Sequence, residues 1–239
     1  DAYQSRGLGD VYKRQVASSG KIESLDPARA NTLKAIQLIS SLGDTLYELN
    51  SNGELIPELA SGMPIISKDR LKIVINLRKN VFFHDGTSFN SNAIKFTFDR
   101  FKRIGTMNYI LGNKIKSIET PSEYSVIINL NKPSSSINGL LTSVNLTPIS
   151  PTFYQEYSDK FLNEKFVGTG KYVLSSFSNE VQSIDPNLNY WGEKPLNEGI
   201  DFVGYSNSSS LFGALKSKQI DVLLSNSIDD SQRKSLNNL

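Results

Sequence analysis

Residues 77–101 read LRKNVFFHDGTSFNSNAIKFTFDRF, and three local codes meet in this stretch. Leading into it, residues 71–78 (LKIVINLR) place Leu71, Ile73, Ile75 and Leu77 on one face, with Lys72, Asn76 and Arg78 among those opposite. That period of two is the pattern of a half-buried strand. At the far end Asn90 can cap a helix in which Ile94, Phe98 and Phe101 follow at i, i+4 and i+7. Between them lies the single histidine of the chain, His84, followed by Asp85-Gly86-Thr87. A catalytic histidine needs a nucleophile or carboxylate partner. The only neighbour on offer is Asp85, and Asp-Gly is foremost a turn signal. The segment reads as a structural loop between a strand and a helix, with a catalytic or metal-binding His84 as the alternative.

Composition narrows the field. At 26.5 kDa, with 38% apolar and 21% charged residues, the chain can bury one large core or two small ones. A net charge of +2, from 26 basic and 24 acidic residues, gives no case for nucleic acid or a membrane surface. Without cysteine there is no disulfide, thiolate metal site or cysteine nucleophile. No apolar run is long enough to span a bilayer.

Outward from the opening stretch, residues 16–24 read as a strand stopped by Leu25-Asp26-Pro27. Residues 32–49 read as a helix with Leu38, Leu42 and Leu46 inward. Residues 115–120 and 124–130 form one expected hairpin, and 171–177 with 181–184 a second. A strand over 202–205, a helix capped by Asn207 with Leu211, Ala214 and Leu215 inward, and a strand over 220–224 complete the pattern. Strands and helices mix without strict alternation, which argues against a parallel-only sheet. The opening DAYQSRGLGDVYKRQ lacks apolar periodicity and resembles translated adaptor read-through, with a disordered native tail as the alternative. The other end stops in a polar, helix-like run, so both ends read as cut.

The chemical motifs are sparse. Gly168-Thr169-Gly170 lacks the Gly-Lys-Ser/Thr ending of a phosphate loop and precedes a strand, so it reads as a backbone turn. Trp191 reads as a core anchor, with a ligand platform as the alternative. No Gly-x-Ser-x-Gly elbow or His-Glu-x-x-His occurs. The residues make no case for an enzyme, a cofactor or a metal.

Several landmarks in order do resemble a family. They are Leu25-Asp-Pro27, Leu46-Tyr-Glu48 with Pro57-Glu-Leu-Ala60, the 77–101 stretch, 167–172 (VGTGKY), 189–195 (NYWGEKP) and 214–222 (ALKSKQIDV). Together they are similar to the peptide/nickel-type (family 5) extracellular solute-binding proteins of ABC importers, over about 16–225. Lys171 stands where that family usually has proline, and Lys218-Gln219-Ile-Asp221 where it has Gly-Glu-Ile-Asp.

The resemblance implies an α/β fold: a mixed-sheet, periplasmic-binding-protein-like (type II) lobe with an inserted α+β subdomain, truncated before the second lobe. It implies a first-lobe core from 16–45 and 170–239, an inserted subdomain over 46–169, and a non-native or disordered tail over 1–15. It further implies a non-enzymatic component of an ABC importer, periplasmic or on the cell surface and often a lipoprotein. Such a protein captures a peptide or similar small solute and hands it to a membrane permease, as a monomer when complete. A sensory or chaperone-like interaction protein on the same fold is the alternative. Family ligand contacts fall in three windows, which hold Asn31 and Thr32, then Asn108 and Tyr109, then Asn145 and Thr147. In the same family the His84 segment is scaffolding.

Overall fold

The structure, a computed structural model, describes residues 13–20, 22–134, 136–223 and 228–236. Strand β1 (Arg14–Ser19) ends at Gly20, whose φ of +89° leaves the extended region. Helix α1 (Leu33–Leu42) starts where the Thr32 hydroxyl accepts the Ala35 N–H, and it buries Ala35, Leu38, Ile39 and Leu42. A hairpin of β2 (Tyr47–Leu49) and β3 (Leu55–Pro57) turns on Asn50, whose side-chain oxygen accepts the N–H groups of Asn52 and Glu54. Strands β4 (Ile65–Ile66) and β5 (Lys72–Asn76) precede α2 (Ser91–Ile104), which Asn90 caps through the Asn92 N–H. Lys102 and Arg103 lie at the C-terminal end of α2, where the helix dipole favours cations.

After the short α3 (Asn108–Leu111), strands β6 (Ile115–Ser122) and β7 (Ser125–Leu130) form the next hairpin. Three short helices follow: α4 (Ile137–Leu141), α5 (Pro151–Glu156) and α6 (Asp159–Leu162). The chain closes with β8 (Tyr172–Phe177), β9 (Val181–Pro186), β10 (Ile200–Tyr205), α7 (Ser208–Lys216), β11 (Val222–Leu223) and α8 (Asp230–Leu236).

These elements divide into two compact units. The first takes the described residues of 1–22, 172–188 and 194–239. Its five-stranded sheet has the order β11-β1-β10-β9-β8, parallel where β1 meets β10 and β11 and antiparallel beyond. This is the mixed sheet expected from the irregular order of strands and helices. A small core of Ala17, Leu211, Ala214 and Ile220 packs α7 onto it.

The second unit takes 23–171 and 189–193. Its antiparallel sheet has the order β4-β5-β7-β6. Ile73 and Ile75 of β5 and Val126 and Ile128 of β7 are buried in one core with Ile94, Phe98 and Phe101 of α2. The alternation of β5 and the 3.6-residue period of α2 thus serve the same core. Each fully buried aliphatic or aromatic side chain there contributes roughly 1.5–3 kcal/mol relative to exposure.

Four expectations are corrected. The first strand covers 14–19 rather than 16–24, because Gly20 breaks it. The first helix stops at Leu42 rather than running to 49. Gly43 ends it, Leu46 is buried from extended chain, and Tyr47 opens a strand. Residues 13–15, placed in the suspect tail, belong to the first unit: Arg14 and Gln15 pair with Ile200 and Asp201, and Lys13 Nζ lies 2.9 Å from Asp185. The remainder of that tail, 1–12, lies outside the described residues, as does Leu224 of the expected last strand. Finally, 23–45 belongs with 46–171, because α1 shares its surroundings with the second unit.

Candidate functional site

The three windows meet at one loop. Asp26 lies at its base, fully buried, and takes a bidentate ion pair from Arg100 of α2 at 2.6 and 2.7 Å. Its Oδ1 also accepts the Ala28 N–H at 3.1 Å. The carbonyls of the loop are held from the other two windows. Asn145 donates from Nδ2 to the Pro27 and Ala30 oxygens at 2.7 and 2.8 Å, and the Thr106 N–H donates to the Ala28 oxygen at 2.9 Å. A fixed loop over 26–32 results, presenting exposed Asn31 and the α1 cap Thr32.

The six expected contact residues therefore separate by role. Asn31 is exposed, and Tyr109 stands 70% exposed on α3. Asn108 is half-buried and donates to the Lys102 carbonyl at 2.7 Å, which fixes the start of α3. Thr32 has its hydroxyl turned to the helix cap. Asn145 holds the loop, so its amide hydrogens are committed to the protein's own backbone. Thr147 is a correction: it is 0% exposed, its hydroxyl has no hydrogen-bond partner among the described residues, and it offers no surface to a solute. Sequence reading missed Leu33, 59% exposed directly after Thr32. Its place outside the Leu38–Leu42 stripe was the available signal.

His84 has a different task. Its ring Nε2 lies 3.1 Å from the Gly170 carbonyl and its backbone N–H donates to Gly168 at 2.9 Å. A carbonyl can only accept, so Nε2 carries the hydrogen. Burial pushes the His84 pKa down, which keeps the ring neutral. Asp85 accepts from the Thr87 N–H, the Thr87 hydroxyl and the Ser150 hydroxyl, as a turn aspartate does. The 168–170 turn is glycine-rich for space: a Cβ on Gly170 would run into the backbone of Leu42 and Gly43.

A concavity of about 270 Å³ lies by the C-terminal end of α1, lined by Ser40, Gly43, Thr45, Tyr47, Glu58, Thr142 and neighbours. It is slightly below the roughly 300–1,000 Å³ of small-molecule pockets, and none of the six expected residues lines it. Among the described residues, no group of three His, Asp or Glu side chains could hold a metal ion. None of their helices is long and apolar enough to cross a membrane.

The description "Bacterial extracellular solute-binding proteins, family 5 Middle" matches residues 54–239. The chain belongs to this family. Among curated relatives, the glutathione-binding protein GsiB of Salmonella choleraesuis (strain SC-B67) is 29% identical over 179 residues, 74% of this chain and 35% of the relative. Among solved structures, the periplasmic binding protein DppA from Helicobacter pylori, in complex with the peptide STSA, superposes with a TM-score of 0.83 at 25% identity, covering 95% of this chain and 48% of that one. NikZ from Campylobacter jejuni, in complex with Ni(L-His), gives 0.83 and 25%, covering 95% and 45%. The chain thus spans about a third of the curated relative and about half of the solved ones. The family 5 fold, with mixed sheets and a type II periplasmic-binding-protein architecture, is the one the resemblance implied.

Proposed function

We propose that the chain is part of the solute-capturing component of an ABC importer, working outside the cytoplasmic membrane and without catalysis. It takes up a peptide or similar small solute and passes it to a membrane permease. Family membership over 54–239 carries this reading. The relatives' own ligands, glutathione, a peptide and a nickel–histidine complex, suggest the size and polarity of the solute.

On this chain the loop over 26–32 and the start of α3 form the solute-facing surface. Asn31 supplies hydrogen bonds, while Leu33 and Tyr109 supply apolar wall with one polar tip. Asp26, Arg100 and Asn145 hold that surface in place without touching the solute. In bilobal binding proteins of this kind, hinge closure excludes water from the ligand.

A closed cleft buries roughly 70–90% of a small ligand, and a chain about half as long as its solved relatives makes about half of those contacts. If a complete protein binds near micromolar, about −8 kcal/mol, half the contacts leave about −4 kcal/mol, or millimolar. Titration calorimetry with glutathione, a dipeptide, a tetrapeptide and a sugar control tests this. Weak saturable binding of a peptide-like solute, lost in Tyr109→Ala, is expected. Binding of the sugar alone, or Tyr109→Ala binding as tightly as the unaltered chain, would overturn it.

A further inference from the structure

One end of the antiparallel sheet in the second unit gathers cations from neighbouring strands and from the loop between β4 and β5. That loop is fixed by its own polar groups. The Ser67 N–H donates to the Lys72 carbonyl and the Arg70 N–H to the Ser67 carbonyl, both at 2.9 Å, while the Asp69 carboxylate accepts the Leu71 N–H at 3.0 Å. Arg70 takes a φ of +57° to complete the turn. Lys68 and Arg70 stand exposed on the loop, and exposed Lys72 begins β5.

Backbone hydrogen bonds bring further cations to the same end. The Leu130 N–H donates to the Leu71 carbonyl at 2.8 Å, so β7 ends beside the loop and leads into exposed Lys132. The Asn131 N–H donates to the Lys114 carbonyl at 2.9 Å, which sets half-buried Lys114 and the start of β6, with exposed Lys116, next in line. Two acids share the neighbourhood: Asp69 on the loop, and exposed Glu119 of β6, which accepts from the Asn129 amide at 2.7 Å. Six cations less two carboxylates leave an excess of four, which the whole-chain charge of +2 conceals. Among the described residues, Lys68, Arg70, Lys72, Lys116 and Lys132 take part in no ion pair.

Directly before the loop the chain exposes apolar side chains: Met63 is 59% exposed, Ile65 61% and Ile66 45%. Charges beside an edge strand commonly guard it against pairing with another chain. Guarding accounts for Lys68 beside β4 and Lys116 on β6, the two edges of this sheet. It does not account for Lys72 on β5 and Lys132 after β7, both interior strands, nor for isoleucines left in water. Cations beside exposed apolar side chains suit an anionic lipid surface, where the charges meet headgroup phosphates and the apolar groups enter the interface. A nucleic acid offers the phosphates but no apolar layer to take Met63 and two isoleucines.

We propose that this end of the second unit docks on an anionic lipid surface, with Met63, Ile65 and Ile66 entering the interface and the surrounding cations seated among the phosphates. The contact needs no membrane-spanning helix, and no solute takes part in it.

The experiment is co-sedimentation of the full chain with vesicles of phosphatidylcholine, alone or mixed with phosphatidylglycerol, at about 0.05 M and about 0.5 M salt and without solute. Binding to the mixed vesicles alone is expected, weaker at the higher salt. Each Lys or Arg near an anionic surface strengthens binding roughly five-fold, so Lys68→Gln with Arg70→Asn should weaken it about ten-fold or more. Asparagine tolerates the φ of +57° at this position, so the variant keeps the turn. Ile65→Thr with Ile66→Thr, which keeps the β-branched shape suited to a strand, should also weaken binding while leaving its dependence on salt. A single-stranded oligonucleotide serves as the polyanion control. No binding to the mixed vesicles, equal binding to phosphatidylcholine alone, or either variant binding as tightly as the unaltered chain would overturn the proposal. So would tighter binding to the oligonucleotide that the isoleucine variant leaves unchanged, the mark of a nucleic-acid site.

Discussion

In the second unit Asp26 and Arg100 meet inside the core, bidentate and enclosed. In the first, Lys13 reaches Asp185 at 2.9 Å and Asp201 at 3.3 Å with its side chain 31% exposed. The two pairs are alike in chemistry and opposite in consequence. Removing one partner from a buried pair leaves an uncompensated charge away from water, whereas a surface charge falls back on solvent. The buried pair fixes the loop that carries Asn31, and the exposed one ties the first residues of β1 to its neighbours. Burial decides which pair the fold depends on.

Arg100→Ala should give the largest effect, a loss of about 3–5 kcal/mol in the stability of the second unit, read from the urea midpoint. A paired Asp26→Leu, Arg100→Met variant should recover much of it, because no lone charge remains. If the single variant costs no more than the pair, the ion pair is not what holds the loop.

Core substitutions sharpen the same contrast. Fully buried Leu38→Ala in α1 should cost about 2–5 kcal/mol. Leu211→Ala in the first unit should fall at the low end of that range, since its core of four buried residues is bordered by half-buried Tyr205 and Leu215 that can close around the space. Thermal unfolding of both variants measures the difference.

Two half-buried groups set opposite pH limbs on the second unit. His84 ionises at about its ordinary 6.5 when unfolded and at lower pH when folded. The unfolded chain therefore binds more protons, and stability falls as pH drops below that value. Glu58 ionises at 4.5 when unfolded and about 9 when folded. Here the folded state binds more protons, and stability falls as pH rises between the two values. Taken together, Glu58 lowers stability as pH rises from about 4.5 toward 9, and His84 opposes that fall only just below 6.5. Melting temperatures against pH should show it, with His84→Gln removing the acid limb and Glu58→Gln the alkaline one.

The smallest effect belongs to Lys13→Ala. An exposed pair of this kind contributes about 0.2–1 kcal/mol, reduced further by salt. A larger loss would mean that the start of β1 is a keystone of the first unit.

Much of this fold is legible in the residues. The alternation of Ile73 and Ile75, the Asn90 cap with Ile94, Phe98 and Phe101, and the Asn207 cap of α7 all appear where periodicity and capping chemistry put them. Leu46 misled because a buried residue just before a strand happened to continue a helical spacing, and Gly43 was the overlooked stop. The site was less legible. Windows taken from the resemblance converge on the 26–32 loop, but local sequence cannot say which way a side chain turns. Asn145 and Thr147 face the protein, while Leu33 faces out. The donors around buried Asp44 were illegible for the same reason: Thr169, Tyr190 and Trp191 lie far from it along the chain.

The most direct test of the proposed solute-facing surface is chemical-shift mapping on the isotope-labelled 239-residue chain, titrated with glutathione and a short peptide to about ten millimolar, a few-fold above the expected millimolar affinity. Saturable shifts should centre on Asn31, Thr32, Leu33, Asn108 and Tyr109, with His84 and Gly168–Gly170 unmoved. Saturable shifts centred on His84, or on the concavity beside Glu58, with the 26–32 loop silent, would contradict the account.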